Sequence, residues 1–148
     1  MRRATLLGLL LATACQNQGQ GTSSAAPASP PASTPPQLYL TVRDPSGGFG
    51  PFVLDDLEKL AIQVQGAHLG VGEHSLRLDV TGPDGTLYAQ LPSDFEADQN
   101  ELGAAATSLQ VRGTTIETYR QLGTWQVVAV LDGTPTTAAS VEVVGAPQ

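Results

Sequence analysis

The sequence predicts an all-β domain, and three observations support that prediction. Apolar side chains in the second part of the chain recur at every second residue rather than with the helical period of 3.6. The alternating segments are short, and turn-forming residues bound each of them. The segment from Leu38 to Gln148 has 111 residues, a size typical of one domain. Short strands with one apolar face bury that face by closing into a two-layer sandwich or a barrel.

Seven strands follow from the alternation in chain order. Two turns, Pro83-Asp84-Gly85 and Asp132-Gly133, supply the positive backbone angles that hairpins need. The sixth strand is the longest, and the valines between its apolar residues indicate that both of its sides are covered. The predicted inward rows are Leu38/Leu40/Val42, Leu60/Ile62/Val64, Leu76/Leu78/Val80, Leu87/Ala89/Leu91, Leu109/Val111, Trp125/Val127/Ala129/Leu131 and Ala139/Val141/Val143.

Two segments leave a helical alternative open. Phe52 to Ala61 can place its leucines on one face of a helix. Ser93 to Glu96 has the spacing of a capping box, and Gly103 is placed to end a short helix. An irregular acidic loop fits this second segment equally well. Neither alternative changes the predicted class.

The two hairpins resemble those of a known fold family. Ser75 to Leu91 is similar to an early hairpin of bacterial immunoglobulin-like and fibronectin-III-like domains, and Gly123 to Gly133 is similar to their closing hairpin. The resemblance implies a single immunoglobulin-like antiparallel β-sandwich of about seven strands over residues 38–148. It also implies binding, spacing or scaffolding rather than catalysis. The chain lacks the paired cysteines of antibody domains, since it has one cysteine in all.

The first fifteen residues are typical of an export signal that ends at a lipid attachment point. Two arginines precede a short apolar run, small residues follow, and Cys15 comes next. The segment Ala12 to Cys15 (Ala-Thr-Ala-Cys) resembles the lipobox of bacterial lipoproteins. This resemblance implies that residues 1–14 are removed and that Cys15 carries fatty acids such as palmitate, which anchor the protein. Gln16 after the cysteine implies the cell outer membrane, and an ordinary signal peptide cut near Ala14 is the alternative.

Residues 15–37 predict a tether between this lipid and the domain. The segment after the cysteine contains five prolines among small and polar residues, without charged or large apolar side chains. Such a segment cannot bury enough surface to offset its ordering entropy, so we expect it to be disordered. Its prolines favour the extended polyproline conformation. We expect this linker to hold the folded domain away from the membrane.

The mature chain is strongly acidic. Two of its seven basic residues lie in the predicted signal, and the remaining five stand against fourteen acidic residues, a net charge of −9. Such a charge repels phosphate groups, so we expect no nucleic acid among the partners.

No residue pattern points to catalysis. His68 and His74 share a glycine-rich loop with Glu73, but their spacing matches no zinc pattern, and solvated histidines are the simpler interpretation. The run from Asp94 to Asn100 begins like a calcium loop but lacks the glycine and glutamate that such a loop needs further along. We therefore predict no catalytic residue, no metal site and no cofactor, and a protein that is not an enzyme.

Aromatic residues supply the only candidate binding surface. Trp125 lies in an inward row, so we expect it in the core. Tyr39, Tyr88 and Tyr119 fall off or beside the inward rows, and we predict that they form a possible interaction surface.

The predicted function is that of a lipid-anchored cell-envelope protein presenting a non-catalytic domain. Its expected partners are the membrane, through the N-terminal lipid, and another envelope protein or a glycan. A structural subunit of an envelope machine for secretion or motility is the alternative. An extracytoplasmic enzyme or metal carrier is the weaker third hypothesis.

Overall fold

Eight β-strands organise residues 33–147, the part of the chain that the computed structural model describes. The all-β class is confirmed, with eight strands rather than seven. The predicted signal peptide, Cys15 and the linker up to residue 32 lie outside the described residues. The strands are β1 (Gln37–Arg43), β2 (Phe52–Val53), β3 (Lys59–Ala67), β4 (Gly72–Thr81), β5 (Leu87–Ala97), β6 (Gly103–Gln110), β7 (Gly123–Leu131) and β8 (Thr134–Val144), with a 3₁₀ turn at Leu54–Asp56 and one helical turn, α1, at Thr115–Thr118.

One curled sheet holds the strands in the order β1-β3-β6-β5-β4-β7-β8-β2. All neighbours run antiparallel except β2 and β8, which are parallel over two residues. The junction between β5 and β6 consists of a single residue pair, Ala97 with Gly103. The sheet therefore has a three-stranded half, β1-β3-β6, and a five-stranded half, β5-β4-β7-β8-β2, whose strands pair with each other at this one corner only.

A single hydrophobic cluster, built from the inward rows of both halves, forms the core. Ile62 of β3, Val80 of β4 and Ala129 of β7 have no exposed surface. Trp125 is 1% exposed, and its indole N–H donates to the carbonyl of Gln121 at 3.1 Å, which satisfies the one polar group of this ring.

Most of the predicted inward rows are buried, and the exceptions lie near strand ends and edges. Leu87 is 55% exposed, which corrects its predicted inward position. Leu40, Ala89, Leu91 and Ala139 are partly buried against the core rather than within it.

Both predicted hairpin turns form. Between β4 and β5, Gly85 has φ +79°, and the carboxylate of Asp84 accepts the backbone N–H of Thr86 at 3.0 Å. Between β7 and β8, Asp132 and Gly133 both have positive φ, +48° and +82°. Two consecutive positive φ values match the right-handed twist of the flanking strands.

Neither predicted helical alternative forms. Ser93 to Glu96 is part of β5. Phe95 and Ala97 are buried while Asp94 and Glu96 are exposed, and this two-residue period favours a strand. Phe52 to Ala61 divides into β2, the 3₁₀ turn and the start of β3. No helix within residues 33–147 has the length and apolar character needed to cross a membrane.

The α1 turn has no counterpart among the sequence predictions. The hydroxyl of Thr114 accepts the backbone N–H of Ile116 at 3.2 Å, which caps the first turn. Ile116 is buried and ties α1 to the core.

Close packing marks the corner where the two halves meet. Gly66 of β3 pairs with Gly103 of β6, and the side chain of Leu69 lies against both. A Cβ atom at Gly66 would come within 2.7 Å of Leu69 Cδ1 and 2.9 Å of Leu38 Cδ2. These distances are shorter than real Cβ contacts, so a side chain at Gly66 forces its neighbours to move.

We expect Gly66→Ala to lower the free energy of unfolding by about 1–3 kcal/mol, the usual cost of overpacking a core. Gly145→Ala is the matched control, because its Cβ would meet Leu122 Cδ1 at an ordinary 3.5 Å. We expect the control to stay within about 0.5 kcal/mol of the parent. Urea unfolding of the three proteins measures both effects, and equal stability of the two variants would contradict the close packing of Leu69.

Candidate functional site

The outward residues of the three-stranded half include no carboxylate, and the surface that they form is here called the carboxylate-free face. Strand alternation places every second residue of β1, β3 and β6 on this side, and the pairing register aligns them in rows. One such row is Tyr39, Gln65 and Ala104, and the next is Thr41, Gln63 and Ala106. The complete face, which lies within the described residues, consists of Gln37, Tyr39, Thr41, Arg43, Lys59, Ala61, Gln63, Gln65, Ala67, Ala104, Ala106, Ser108 and Gln110.

The outward side of β4 and β5 has the opposite character. Glu73 stands directly opposite Glu96 in the register, and Asp94 lies two residues further along β5 on the same side. Like charges in direct cross-strand positions are destabilising, so this surface concentrates negative charge, and Arg77 further along β4 is paired with Asp79. The acidity of the chain is therefore distributed unevenly, and the carboxylate-free face carries only positive charge, from Arg43 and Lys59.

A shallow depression of about 380 Å³ lies at one end of the carboxylate-free face. Tyr39 and Leu102 are its two large side chains, and both are more than half exposed, at 60% and 52%. The rest of the lining is Gln65 and small residues, including Ala67 and Ala104. The hydroxyl of Tyr39 donates to Gln37 Oε1 at 3.3 Å. The depression thus offers two large, exposed side chains beside small residues that leave room for a ligand.

The three tyrosines predicted to form an interaction surface lie on different elements of the domain. Tyr39 belongs to the carboxylate-free face. Tyr88 lies in β5, half-buried, with its ring edge-on to Trp125 at a centroid distance of 5.2 Å and an interplanar angle of 83°. Its hydroxyl accepts a hydrogen bond from Thr115 Oγ1 at 3.3 Å. Tyr119 follows α1 and is 72% exposed. Tyr39 lines the depression described above.

Sequence reasoning found Tyr39 but missed the face around it. The outward residues of β1 and β3 are readable as the polar partners of their apolar rows. Residues 103–110, however, were not predicted as a full strand, and the register of β1, β3 and β6 joins segments that are far apart in the sequence.

The histidines of the glycine-rich loop are separated by their bonding. His68 has φ +57° and is exposed. His74 Nδ1 lies 2.8 Å from Asp132 Oδ2, and its Nε2 lies 2.9 Å from the carbonyl oxygen of Gly70. Two acceptors suit a doubly protonated ring, so the Gly70 carbonyl, first, and Asp132 raise the pKa of His74 above its usual 6.5. Residues 33–147 contain no group of three or more His, Cys, Asp or Glu placed to hold a metal ion.

Asp132 links the β7–β8 turn to the start of β4. Besides contacting His74, its carboxylate accepts the backbone N–H of Ser75 at 2.9 Å, and its own N–H donates to the Ser75 carbonyl at 2.8 Å. The His74 contact, first, and the Ser75 N–H lower the pKa of Asp132 below 3.8. The interaction is therefore strongest where His74 is protonated and Asp132 is ionised.

This pair predicts a pH-dependent contribution to stability. Because the pKa of His74 is raised by folding, its stabilisation is complete below about pH 6.5 and is lost as the pH rises through the folded-state pKa. The Asp132 contribution is lost as the pH falls below about 3.8. We expect His74→Asn to lower the melting temperature more at about pH 5.5 than at about pH 8.5. His68→Asn is the control, and a difference for His74→Asn that does not vary with pH would exclude the charged pair.

The run from Asp94 to Asn100, which begins like a calcium loop in the sequence, combines exposed carboxylates with one that binds the backbone. Asp94 and Glu96 stand exposed on β5. The Asp98 carboxylate accepts the backbone N–H groups of Asn100 at 2.8 Å and Leu102 at 3.0 Å. These bonds, the one from Leu102 first, lower the pKa of Asp98. Asp98 thus orders the turn between β5 and β6.

Comparison with known proteins gives a fold and no activity. No protein-family model and no curated protein matches the chain. The chain is similar to the Pseudomonas fluorescens alkylpurine DNA glycosylase AlkC bound to DNA containing an abasic-site analogue, with a TM-score of 0.52 and 12% identity over 73% of this chain. The chain spans 30% of the length of that glycosylase. At this identity the likeness shows a shared fold only.

Two further solved structures match with lower scores. The CARDB domain of a Pyrococcus furiosus protein, in complex with di-metal ions, has a TM-score of 0.44 and 16% identity, covering 74% of this chain and 88% of the other. An immunoglobulin-like protein from Pseudomonas aeruginosa has a TM-score of 0.34 and 12% identity, covering 76% of this chain and 99% of the other.

Proposed function

We propose that the protein is a lipid-anchored, non-catalytic cell-envelope protein whose β domain binds an envelope component through the carboxylate-free face. The observation that carries this proposal is the uneven distribution of charge. The domain contains fourteen acidic residues, yet three neighbouring strands present none of them on their outward side. A surface free of the prevailing charge is the one where a partner approaches without electrostatic repulsion.

We also propose that the domain is an immunoglobulin-like β-sandwich and that a lipid on Cys15 anchors it to the outer membrane. Two half-sheets that share one core and pair through a single residue pair support a two-layer arrangement. The lipobox-like sequence before Cys15 supports acylation and an outer-membrane location, and the proline-rich linker supports a domain held away from the bilayer.

Cys15→Ala tests the anchor. Without the thiol no lipid can be attached, so we expect the variant to leave the membrane fraction and to incorporate no radiolabelled fatty acid. Fractionation and acyl labelling of cells that produce the parent or the variant measure this. A variant that sediments with membranes as the parent does would remove the anchor from the proposal.

Site-specific photocrosslinking in living cells tests the face. A photoreactive phenylalanine analogue replaces Gln63 on the carboxylate-free face or, as the matched control, Gln126, an exposed glutamine on the outward side of β7. We expect discrete adducts from position 63 and none from position 126.

A second substitution shows whether those adducts depend on charge. Ala106→Glu puts a carboxylate in the row of Gln63, and Ala138→Glu puts one at an exposed position of β8. We expect about a tenfold loss of adduct for Ala106→Glu and no loss for Ala138→Glu, because a carboxylate introduced into the binding surface opposes the partner, whereas one outside it does not. Equal adduct yields from both positions, or yields unaffected by Ala106→Glu, would exclude this face as the binding surface.

A further inference from the structure

The two ends of the carboxylate-free face offer different chemistry. At the first end, the exposed side chains of Tyr39 and Leu102 line a depression together with alanine, glycine and Gln65. An aromatic ring and an aliphatic side chain facing a shallow space suit a ligand ring whose C–H groups pack on them. The nearby hydroxyl of Tyr39 and amide of Gln65 supply hydrogen-bonding groups for the polar rim of such a ring.

At the second end lie the two cations, Arg43 and Lys59. Arg43 ends β1 opposite Ala61, and Lys59 lies two residues before Ala61 on the same side of β3, so the cations are diagonal neighbours. The guanidinium carbon of Arg43 lies 4.5 Å from the centroid of the Phe49 ring, which holds it in place.

Neither cation is neutralised by an ion pair within residues 33–147, unlike Arg77 and Arg120, whose guanidinium groups bind Asp79 and Asp55. The nearest carboxylate in sequence to Arg43, that of Asp44, accepts Ser46 Oγ at 2.6 Å and the Gly48 N–H at 2.8 Å. Both bonds go to Asp44 Oδ1, and they order the loop after β1.

Between the two ends the face carries amides and hydroxyls. Thr41 and Gln63 form one row, and Gln65 lies in the row of Tyr39. Tyr39 and Arg43 are four residues apart on β1, about 13 Å at the rise of a strand. A ligand that uses both ends is therefore extended, bears many hydroxyl groups and carries negative charge.

We infer that the carboxylate-free face binds an acidic glycan, with a sugar ring against Tyr39 and the carboxylate of a uronic acid unit on Arg43 and Lys59. The inference rests on the proposed function and names the partner of that face. Carboxylate recognition by a guanidinium is bidentate and charge-assisted, which fixes one end of the chain.

The composition of the face favours a glycan over a protein partner. Cores of protein interfaces are enriched in aromatic residues and methionine and depleted in alanine, serine and lysine. The carboxylate-free face has a single aromatic residue among alanines, glutamines and Ser108.

The test is calorimetric titration of the purified full-length lipoprotein in detergent micelles. The probes are tetragalacturonate and its fully methyl-esterified form, which keeps the sugar rings and removes the charge. We expect tetragalacturonate to bind at least about tenfold more tightly than the ester, and its affinity to fall as salt is added.

Substitutions locate the binding site. We expect Arg43→Gln, Lys59→Gln and Tyr39→Ala each to weaken tetragalacturonate binding about tenfold. The matched controls, Arg77→Gln on β4 and Tyr119→Ala after α1, should bind as the parent does, because both side chains are exposed and lie off the face.

The outcomes separate this inference from the proposed function. Absence of binding, equal affinity for the ester, or equal effects of the control variants would overturn the glycan inference. If a polyglutamate peptide binds as tightly and Tyr39→Ala has no effect, the partner is an acidic protein instead. In each of these cases the proposed function stands if Ala106→Glu still lowers the yield of crosslinks from position 63 about tenfold. If Ala106→Glu leaves that yield unchanged, the proposed function fails together with the glycan inference.

Discussion

The fold depends on one shared core, because hydrogen bonding between the two half-sheets is reduced to the pair of Ala97 and Gly103. Exposure of an apolar sheet face to water is unfavourable, so β1, β3 and β6 bury their inward rows against the other half. Ile62 on one side and Val80 and Ala129 on the other are completely enclosed. The large ring of Trp125 adds the greatest single buried side chain to that contact.

The need to bury this shared core determines the inward residues of the strands. It leaves the outward residues free to differ between the two half-sheets. On most strands the buried apolar side chains occupy alternate positions, and the exposed positions between them contribute little to stability. On β4 and β5 these positions carry Glu73, Asp94 and Glu96, whereas on β1, β3 and β6 they carry amides, small residues and two cations. The charge contrast is thus a property that the core does not impose, which is why it points to binding.

The sequence predicted the elements in which the two rows differ sharply. In β3 and β4, leucine, isoleucine and valine alternate with glutamine, arginine and aspartate, so both the strand and its buried side were evident. In β6, alanines stand on both sides of the strand, as Ala104 and Ala105 do, and no alternation is visible before Leu109. The candidate face could not be assembled for that reason, although Tyr39 was identified, since a register between distant strands is not encoded locally.

The corner that limits the pairing of the two halves also shapes the depression. Gly103 lets β6 lie close to Phe95 and to the backbone of Glu96 on β5, and it leaves room for the buried side chain of Leu69. The turn just before it is held by Asp98, whose carboxylate binds the Leu102 N–H and whose own N–H donates to the Leu102 carbonyl at 2.9 Å. Leu102 is thereby held in the lining of the depression, to which Tyr39 also belongs. An aspartate that resembles a calcium ligand in the sequence instead positions an apolar side chain, and the proposed ring-binding end of the face follows from the way the sheet turns.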